Sequence, residues 1–346
     1  MKNLTPNNYQ KLVSEALKGL SNQRTSDIIS LRFGLKDGKR KTLEEIGRKY
    51  NITRERVRQI EEVAFSDLKK SNSVNTLKAV FDSIDIFLNQ EGGIAREERL
   101  LTSLTGYDRP HPSRGSIFFS LTLGKPYHRF VESNKFHPLW ANSKDAVSRA
   151  EKIIDFLVKR IEQERKTLPL DHVFNYSKEL DRGINREALS SYLDLTKEID
   201  QNNFGHFGLA KWPEINPRGA KDKAYIVLKE QGQPLHFRNV ADLINQANLG
   251  PNLAQPQTVH NELIKDERFI LVGRGTYALK EWGYQPGTIK DVIIQTLEEN
   301  GPMEKEDILE KVLENRLAKK NTVLINLQNK EYFAKNQDGK YTLIKK

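Results

Sequence analysis

Three tryptophans, Trp140, Trp212 and Trp282, stand 72 and then 70 residues apart, and each ends a stretch that reads as two short strands around a turn. The stretches are RFVESNKFHPLW, EIDQNNFGHFGLAKW and RFILVGRGTYALKEW; a fourth, YFAKNQDGKYTLIKK, closes near Ile344 without a tryptophan. Spacing of this size suits one small domain per unit. The Gly-Arg-Gly run at 273–275 and Asp338-Gly339 are good hairpin turns.

Helical periodicity precedes each hairpin, and three helices followed by a two-stranded hairpin is the winged-helix pattern. The chain is therefore expected to be mainly α with small β-hairpins. Four tandem winged helices are expected over 76–142, 143–214, 217–284 and 286–346, behind an N-terminal helix-turn-helix domain over 1–72. The expected helices lie near 76–90, 96–105 and 113–122, then 144–164, 169–178 and 185–195. The third unit has them near 218–231, 236–247 and 256–265, and the fourth near 288–299, 304–314 and 319–329. Short linkers such as NPRG and GYQPG predict a semi-rigid array.

Composition narrows the function. With 37% hydrophobic residues, no run near the roughly 20 apolar residues of a membrane helix and no apolar leader in MKNLTPNNYQ, a protein of the cytoplasm is expected. The absence of cysteine removes disulfides, thiol nucleophiles and cysteine-ligated metals. Seven scattered histidines, at 111, 128, 137, 172, 206, 236 and 260, form no HExxH, and no GxxxxGK[ST] or GxSxG is present. The expected reading is a protein without catalytic site, metal, cofactor or small-molecule substrate.

The net charge of +10 suggests a polyanionic partner. Residues 1–70 hold 16 Lys and Arg against 9 Asp and Glu, so most of the excess lies at the N-terminal end. There, RTSDIISLRFGL, TLEEIGRKY and NITRERVRQIEEVAFSDLKK read as helices, with a basic loop KDGKRK between the first two. Thr42 and Glu45 make a capping box, and Thr53 can cap the last helix. Val57, Ile60, Ala64 and Leu68 form its core stripe, whereas Arg54, Glu55, Arg58 and Gln59 fall on the other side. A short turn and a second helix with polar first turns is the helix-turn-helix arrangement, whose second helix enters the major groove. Arg pairs with guanine, Gln with adenine, and Glu accepts from cytosine. The alternative is a solvated amphipathic helix held by i,i+4 charge pairs.

The string SLRFGLKDGKRKTLEEIGRKYNITRERVRQIEEVAFSDLKK resembles region 4 of the primary-type bacterial sigma factors, which reads the minus-35 promoter element. The resemblance implies double-stranded promoter-like DNA as a partner, with Arg54, Glu55, Arg58 and Gln59 reading bases. It implies Lys39, Arg40, Lys41, Thr42, Thr53 and Arg56 at phosphates. It also implies RNA polymerase as a partner, with Leu31, Arg32 and Phe33 near the surface that docks on the polymerase flap. Two departures stand out: Thr25 replaces the usual acidic residue beside Arg24, and nothing resembles the sigma regions that melt the downstream promoter element. Promoter opening as a free-standing sigma factor is therefore not expected.

The third unit, with its GxGxYxL hairpin, resembles the HARE type of winged helix found in the RNA polymerase delta subunit and in chromatin and restriction-associated proteins. That resemblance implies a DNA- or polymerase-associated module, with Arg274 at the hairpin tip as a phosphate contact or plain solvent surface. GRGTYA lacks the third glycine of a dinucleotide fingerprint. The near-neutral charge of the hairpin units argues against all four gripping DNA. Phe118, Phe119, Phe130 and Phe136 are read as core, or else as a protein-binding wing face. Three functions stay open: a promoter-reading transcription factor, a polymerase-docking protein that reads no bases itself, and a DNA-targeting subunit of a nuclease or defence system.

Overall fold

The computed structural model describes residues 4–71, 73–124, 126–316 and 318–344. The ends of the expected first and fourth domains, at 1–3, 72 and 345–346, lie outside the described residues. The chain divides into two compact units, Met1–Asp200 and Gln201–Lys346. It is mainly α with small antiparallel sheets.

The first unit opens with α1 (Pro6–Leu17), a helix absent from the expected set. Pro6 starts it, where its missing N–H costs nothing, and Tyr9, Val13, Ala16 and Leu17 form its buried stripe. Then come α2 (Gln23–Phe33), α3 (Leu43–Tyr50), α4 (Arg54–Lys70) and the single turn α5 (Ser73–Thr76). The first hairpin module follows as α6 (Lys78–Gln90), β1 (Ile94–Arg96), α7 (Glu97–Thr105), α8 (Pro112–Leu123), β2 (His128–Phe130) and β3 (Leu139–Ala141). Its sheet has the order β1-β3-β2, with Ile94 opposite Ala141 and Arg129 opposite Trp140. Strand β1 was not expected, because three residues are too short to show an alternating pattern. The unit closes with α9 (Lys144–Glu164), β4 (Leu168–Pro169), α10 (Leu170–Leu180), α11 (Arg186–Leu195) and β5 (Ile199–Gln201), within which the division falls.

One apolar core joins the N-terminal helices to the first hairpin module. It runs from Tyr9 and Val13 of α1 through Phe33 of α2 and Leu68 of α4 to Ile117 and Phe119 of α8 and Trp140 of β3. The Phe33 ring lies 5.4 Å from that of Phe119 and 5.6 Å from that of Phe65, both edge-on. This approach depends on Gly115 of α8, where a Cβ would meet Phe33 O and stand 2.9 Å from Gly34 O. Helix α11 packs on β1 in the same way: Ser191 Oγ donates to Ile94 O at 2.8 Å and Tyr192 Oη to Gly92 O at 3.1 Å.

The second unit carries β6 (His206–Leu209) and then α12 (Ala220–Gln231), β7 (Leu235–His236), α13 (Phe237–Gln246), α14 (Pro256–Lys265), β8 (Phe269–Gly273) and β9 (Thr276–Leu279). Arg274 and Gly275 turn the β8–β9 hairpin, with Gly275 at φ +64. A separate core belongs to α15 (Ile289–Asn300), α16 (Lys305–Asn315), α17 (Lys320–Leu327), β10 (Phe333–Lys335) and β11 (Tyr341–Leu343). The buried Arg316 guanidinium donates through Nη1 to the carbonyls of Leu271 and, at 3.4 Å, Gln285.

Candidate nucleic-acid interface

Helices α3 and α4 meet through a turn that only particular residues permit. Thr42 Oγ1 accepts from Glu45 N at 3.2 Å while Glu45 accepts from Thr42 N at 2.7 Å, so the expected capping box starts α3. Asn51 ends α3 in the left-handed region, at φ 53, which asparagine tolerates better than most side chains. Gly47 lets the turn fold back closely: a Cβ there would stand 2.6 Å from Ile52 O. Thr53 Oγ1 then accepts from Arg56 N at 3.1 Å and starts α4.

A small apolar core of Ile28, Ile46 and Val57 holds this pair of helices against α2. Val57, Ala64 and Leu68 are buried, with Ile60 partly so, which fixes the rotation of α4. The same rotation leaves Arg54, Glu55, Arg58 and Gln59 exposed together in its first turns. Without a ligand these side chains pair among themselves. Arg58 Nη2 is 2.7 Å from Glu55 Oε1, and its Nη1 also contacts Glu62. Arg56 Nη1 donates to Gln59 Oε1 at 3.1 Å. The hydrogen bond from Arg58 lowers the Glu55 pKa, and Glu55 in turn raises that of Arg58. Both helix-surface pairs are solvent-exposed and are exchangeable for contacts with base edges.

The other candidates are placed unevenly. Lys39 is exposed in the α2–α3 loop, and Lys41 Nζ lies 3.6 Å from Glu45. The Arg40 guanidinium stacks 4.1 Å over the Phe118 ring and stands 3.8 Å from Glu97, a tethered position for a phosphate contact. Leu31 packs against the Ile28, Ile46 and Val57 core. Arg32 donates to Glu61 at 3.3 Å and to Lys41 O at 3.2 Å. Phe33 is 3% exposed, inside the shared core. Arg274 is exposed at its hairpin tip in the second unit. Phe119 is core, and Phe118 is partly buried against it.

Sequence reading missed a buried carboxylate. Glu97 Oε2 accepts from Arg129 Nε at 2.7 Å and from Trp140 Nε1 at 3.0 Å, and its Oε1 accepts from Arg129 Nη2 at 3.2 Å. Only the β2–β3 register, which sets Arg129 beside Trp140, brings these groups together. No spacing in the chain announces it.

Comparison with known proteins falls on two segments. Residues 16–70 match the family model of sigma-70, region 4, and residues 220–282 match the HARE-HTH model, a helix-turn-helix domain described from ASXL and restriction endonuclease proteins. The chain is similar to RNA polymerase sigma factor SigA1 of Synechococcus elongatus, 46% identical over 72 residues, 20% of this chain and 18% of that protein. It is also similar to sigma factor SigA of a Nostoc species, 53% identical over 55 residues, 16% of this chain and 14% of that protein. With SigA of Clostridium acetobutylicum it shares 41% over 76 residues, 21% of this chain and 20% of that protein. The chain thus spans about a fifth or less of the length of these relatives, at its N-terminal end. Among the described residues no helix is long and apolar enough to cross a membrane.

Proposed function

We propose that this protein is a DNA-binding, RNA polymerase-associated transcription regulator in which α4 enters the major groove of a minus-35-like element. The observation that carries the reading is the exposure of Arg54, Glu55, Arg58 and Gln59 on one face of α4 while Val57, Ala64 and Leu68 bury the other. Those four side chains read bases; Lys39, Lys41 and Arg56 meet phosphates, and the capped starts of α3 and α4 at Thr42 and Thr53 lie beside them. Similarity to sigma factors over residues 16–70 supports both the DNA and the polymerase as partners. The ranges 1–72, 76–142, 143–214, 217–284 and 286–346 are proposed as the helix-turn-helix and four winged-helix domains, and Arg274 as a backbone contact of the third winged helix.

Polymerase docking without base reading is the second reading. Burial of Phe33 leaves Leu31 and Arg32 only partly exposed for it, so the DNA reading is preferred. Fluorescence anisotropy on a TTGACA duplex against a scrambled one, at two salt concentrations, tests the choice. Preference for TTGACA that disappears in Arg54→Ala/Gln59→Ala is expected. Equal binding of the wild-type protein to both duplexes would sink the base-reading assignment.

A further inference from the structure

A groove of about 640 Å³ opens between the α2–α3 loop and the β2–β3 hairpin. Arg32, Arg40, Lys41 and Arg129 line it, with Glu61 as the one carboxylate among its described lining residues. Two further carboxylates serve these cations: Glu97 below, held by Arg129 and 3.8 Å from Arg40, and Glu45, 3.6 Å from Lys41. Nearby Glu98 is paired with Arg114 at 2.5 Å. Four cations therefore meet three carboxylates, and the exposed Lys39 adds a further positive charge. Arg40 shows the crowding: burial lowers its pKa, Glu97 opposes this, and Arg129 and Arg32 push it further down.

The groove suits a phosphate better than a base. Phe118 already carries Arg40 at 4.1 Å and Arg129 at 5.2 Å over its ring, so it offers no open stacking face. Trp140 is 3% exposed, and the Tyr127 hydroxyl is tied to Asp85 at 2.8 Å. Helix α8 itself is enclosed by α1 and α2: Ser113 Oγ accepts from Gln10 Nε2 at 2.8 Å, and Phe119 lies under Phe33. The first hairpin module thus cannot offer α8 to a groove of DNA, and it instead sets Arg129 beside the α2–α3 loop. Thr42 and Glu61 carry the groove onto α3 and α4 themselves.

We propose that this groove is a second DNA-backbone site, in which Arg129, with Arg40 and Lys41, holds a phosphodiester of the duplex flanking the element that α4 enters. The proposal rests on α4 being the groove-entering helix. It makes the first hairpin module a clamp that lengthens the footprint without reading sequence, because phosphate contacts carry no base information.

The test uses the full chain, Arg129→Gln and Thr122→Glu. Thr122 lines the same groove, is exposed, and bonds only to the Phe118 carbonyl of its own helix, so Thr122→Glu adds a negative charge without removing a partner of Glu97. Anisotropy is recorded over a salt series on a duplex ending at the element and on one extended on both sides, each in native and scrambled sequence, with thermal melting as a check on folding. Both variants are expected to lose roughly three- to tenfold in affinity for the extended duplexes, native and scrambled alike. The salt slope should fall by about one in Arg129→Gln, and the preference for the element should be kept. Wild-type affinity and slope in Thr122→Glu would overturn the proposal even if Arg129→Gln failed to fold. If the wild-type protein shows no preference for the element, the assignment of α4 fails, while losses on the scrambled extended duplex still support the groove. If the wild-type protein binds no duplex, both fail.

Discussion

Gly38 lies against the backbone of His111, so close that a Cβ on residue 38 would stand 2.6 Å from the His111 Cα. Gly38 also has φ +78, a region that costs other residues energy. The α2–α3 loop is thereby locked to the start of α8, and the helix-turn-helix and the first hairpin module are braced at a second place besides the Phe33 core.

Gly38→Ala should therefore destabilise the N-terminal unit by about 2–4 kcal/mol, combining left-handed strain with a forced backbone shift. Urea unfolding followed by tryptophan fluorescence of Trp140 would measure it. An unchanged midpoint would mean that the loop does not rest on α8 in solution.

Arg58→Ala should weaken binding to the TTGACA duplex roughly ten- to a hundredfold and leave scrambled DNA nearly unaffected. Lys39→Ala should lower both affinities together and reduce the salt slope by about one. Anisotropy titrations distinguish the two patterns, and equal losses on both duplexes for Arg58→Ala would remove it from base reading.

Glu97→Gln should cost roughly 3 kcal/mol of stability, because it leaves Arg129 and Arg40 without their buried counter-charge while keeping the side-chain shape. Chemical denaturation of the two proteins side by side would show it. The Trp140 indole keeps an acceptor in the amide oxygen, so Glu97→Gln should perturb the fluorescence spectrum little.

The pH dependence has a defined sign. Burial lowers the pKa of His111, whose Nδ1 accepts from Ser113 N at 3.2 Å and whose ring stacks 3.6 Å from Tyr107, and burial also lowers that of His137. The unfolded chain then takes up these protons first as pH falls. Stability should be complete above the ordinary histidine range near 6.5 and should decline as pH drops through it toward the lower folded pKa values. In His111→Asn, which keeps a capping side chain, the loss between pH 7 and pH 5 should shrink. An identical pH profile would show that His111 does not titrate differently on folding.

Much of the local architecture was legible in the chain. The expected helices near 144–164 and 256–265 coincide with α9 (Lys144–Glu164) and α14 (Pro256–Lys265), and the Asp338-Gly339 turn lies between β10 and β11. The Thr42 and Thr53 caps and the buried stripe of α4 were equally readable, since caps, turns and periodicity depend on neighbours within a few residues. That is also why the exposed set Arg54, Glu55, Arg58 and Gln59 could be named in advance. Helix α1 and the short strands β1 and β7 escaped notice, the strands because two or three residues carry no period.

What the sequence determined by itself was thus the type of each segment and the side of each helix that seeks a core. Only the tertiary structure decided which surfaces meet. Phe33 is enclosed by Phe65, Phe118 and Phe119, and Arg40 is stacked on Phe118 rather than free in its loop. Glu97 gathers Arg129 and Trp140 from a strand pair more than 30 residues away. Burial of apolar area is non-directional, so the chain alone does not say which apolar faces will meet. The meeting is chosen by shape, here by Gly38 and Gly115 allowing backbones to touch, and it converts a sigma-like helix-turn-helix and a hairpin module into one braced unit.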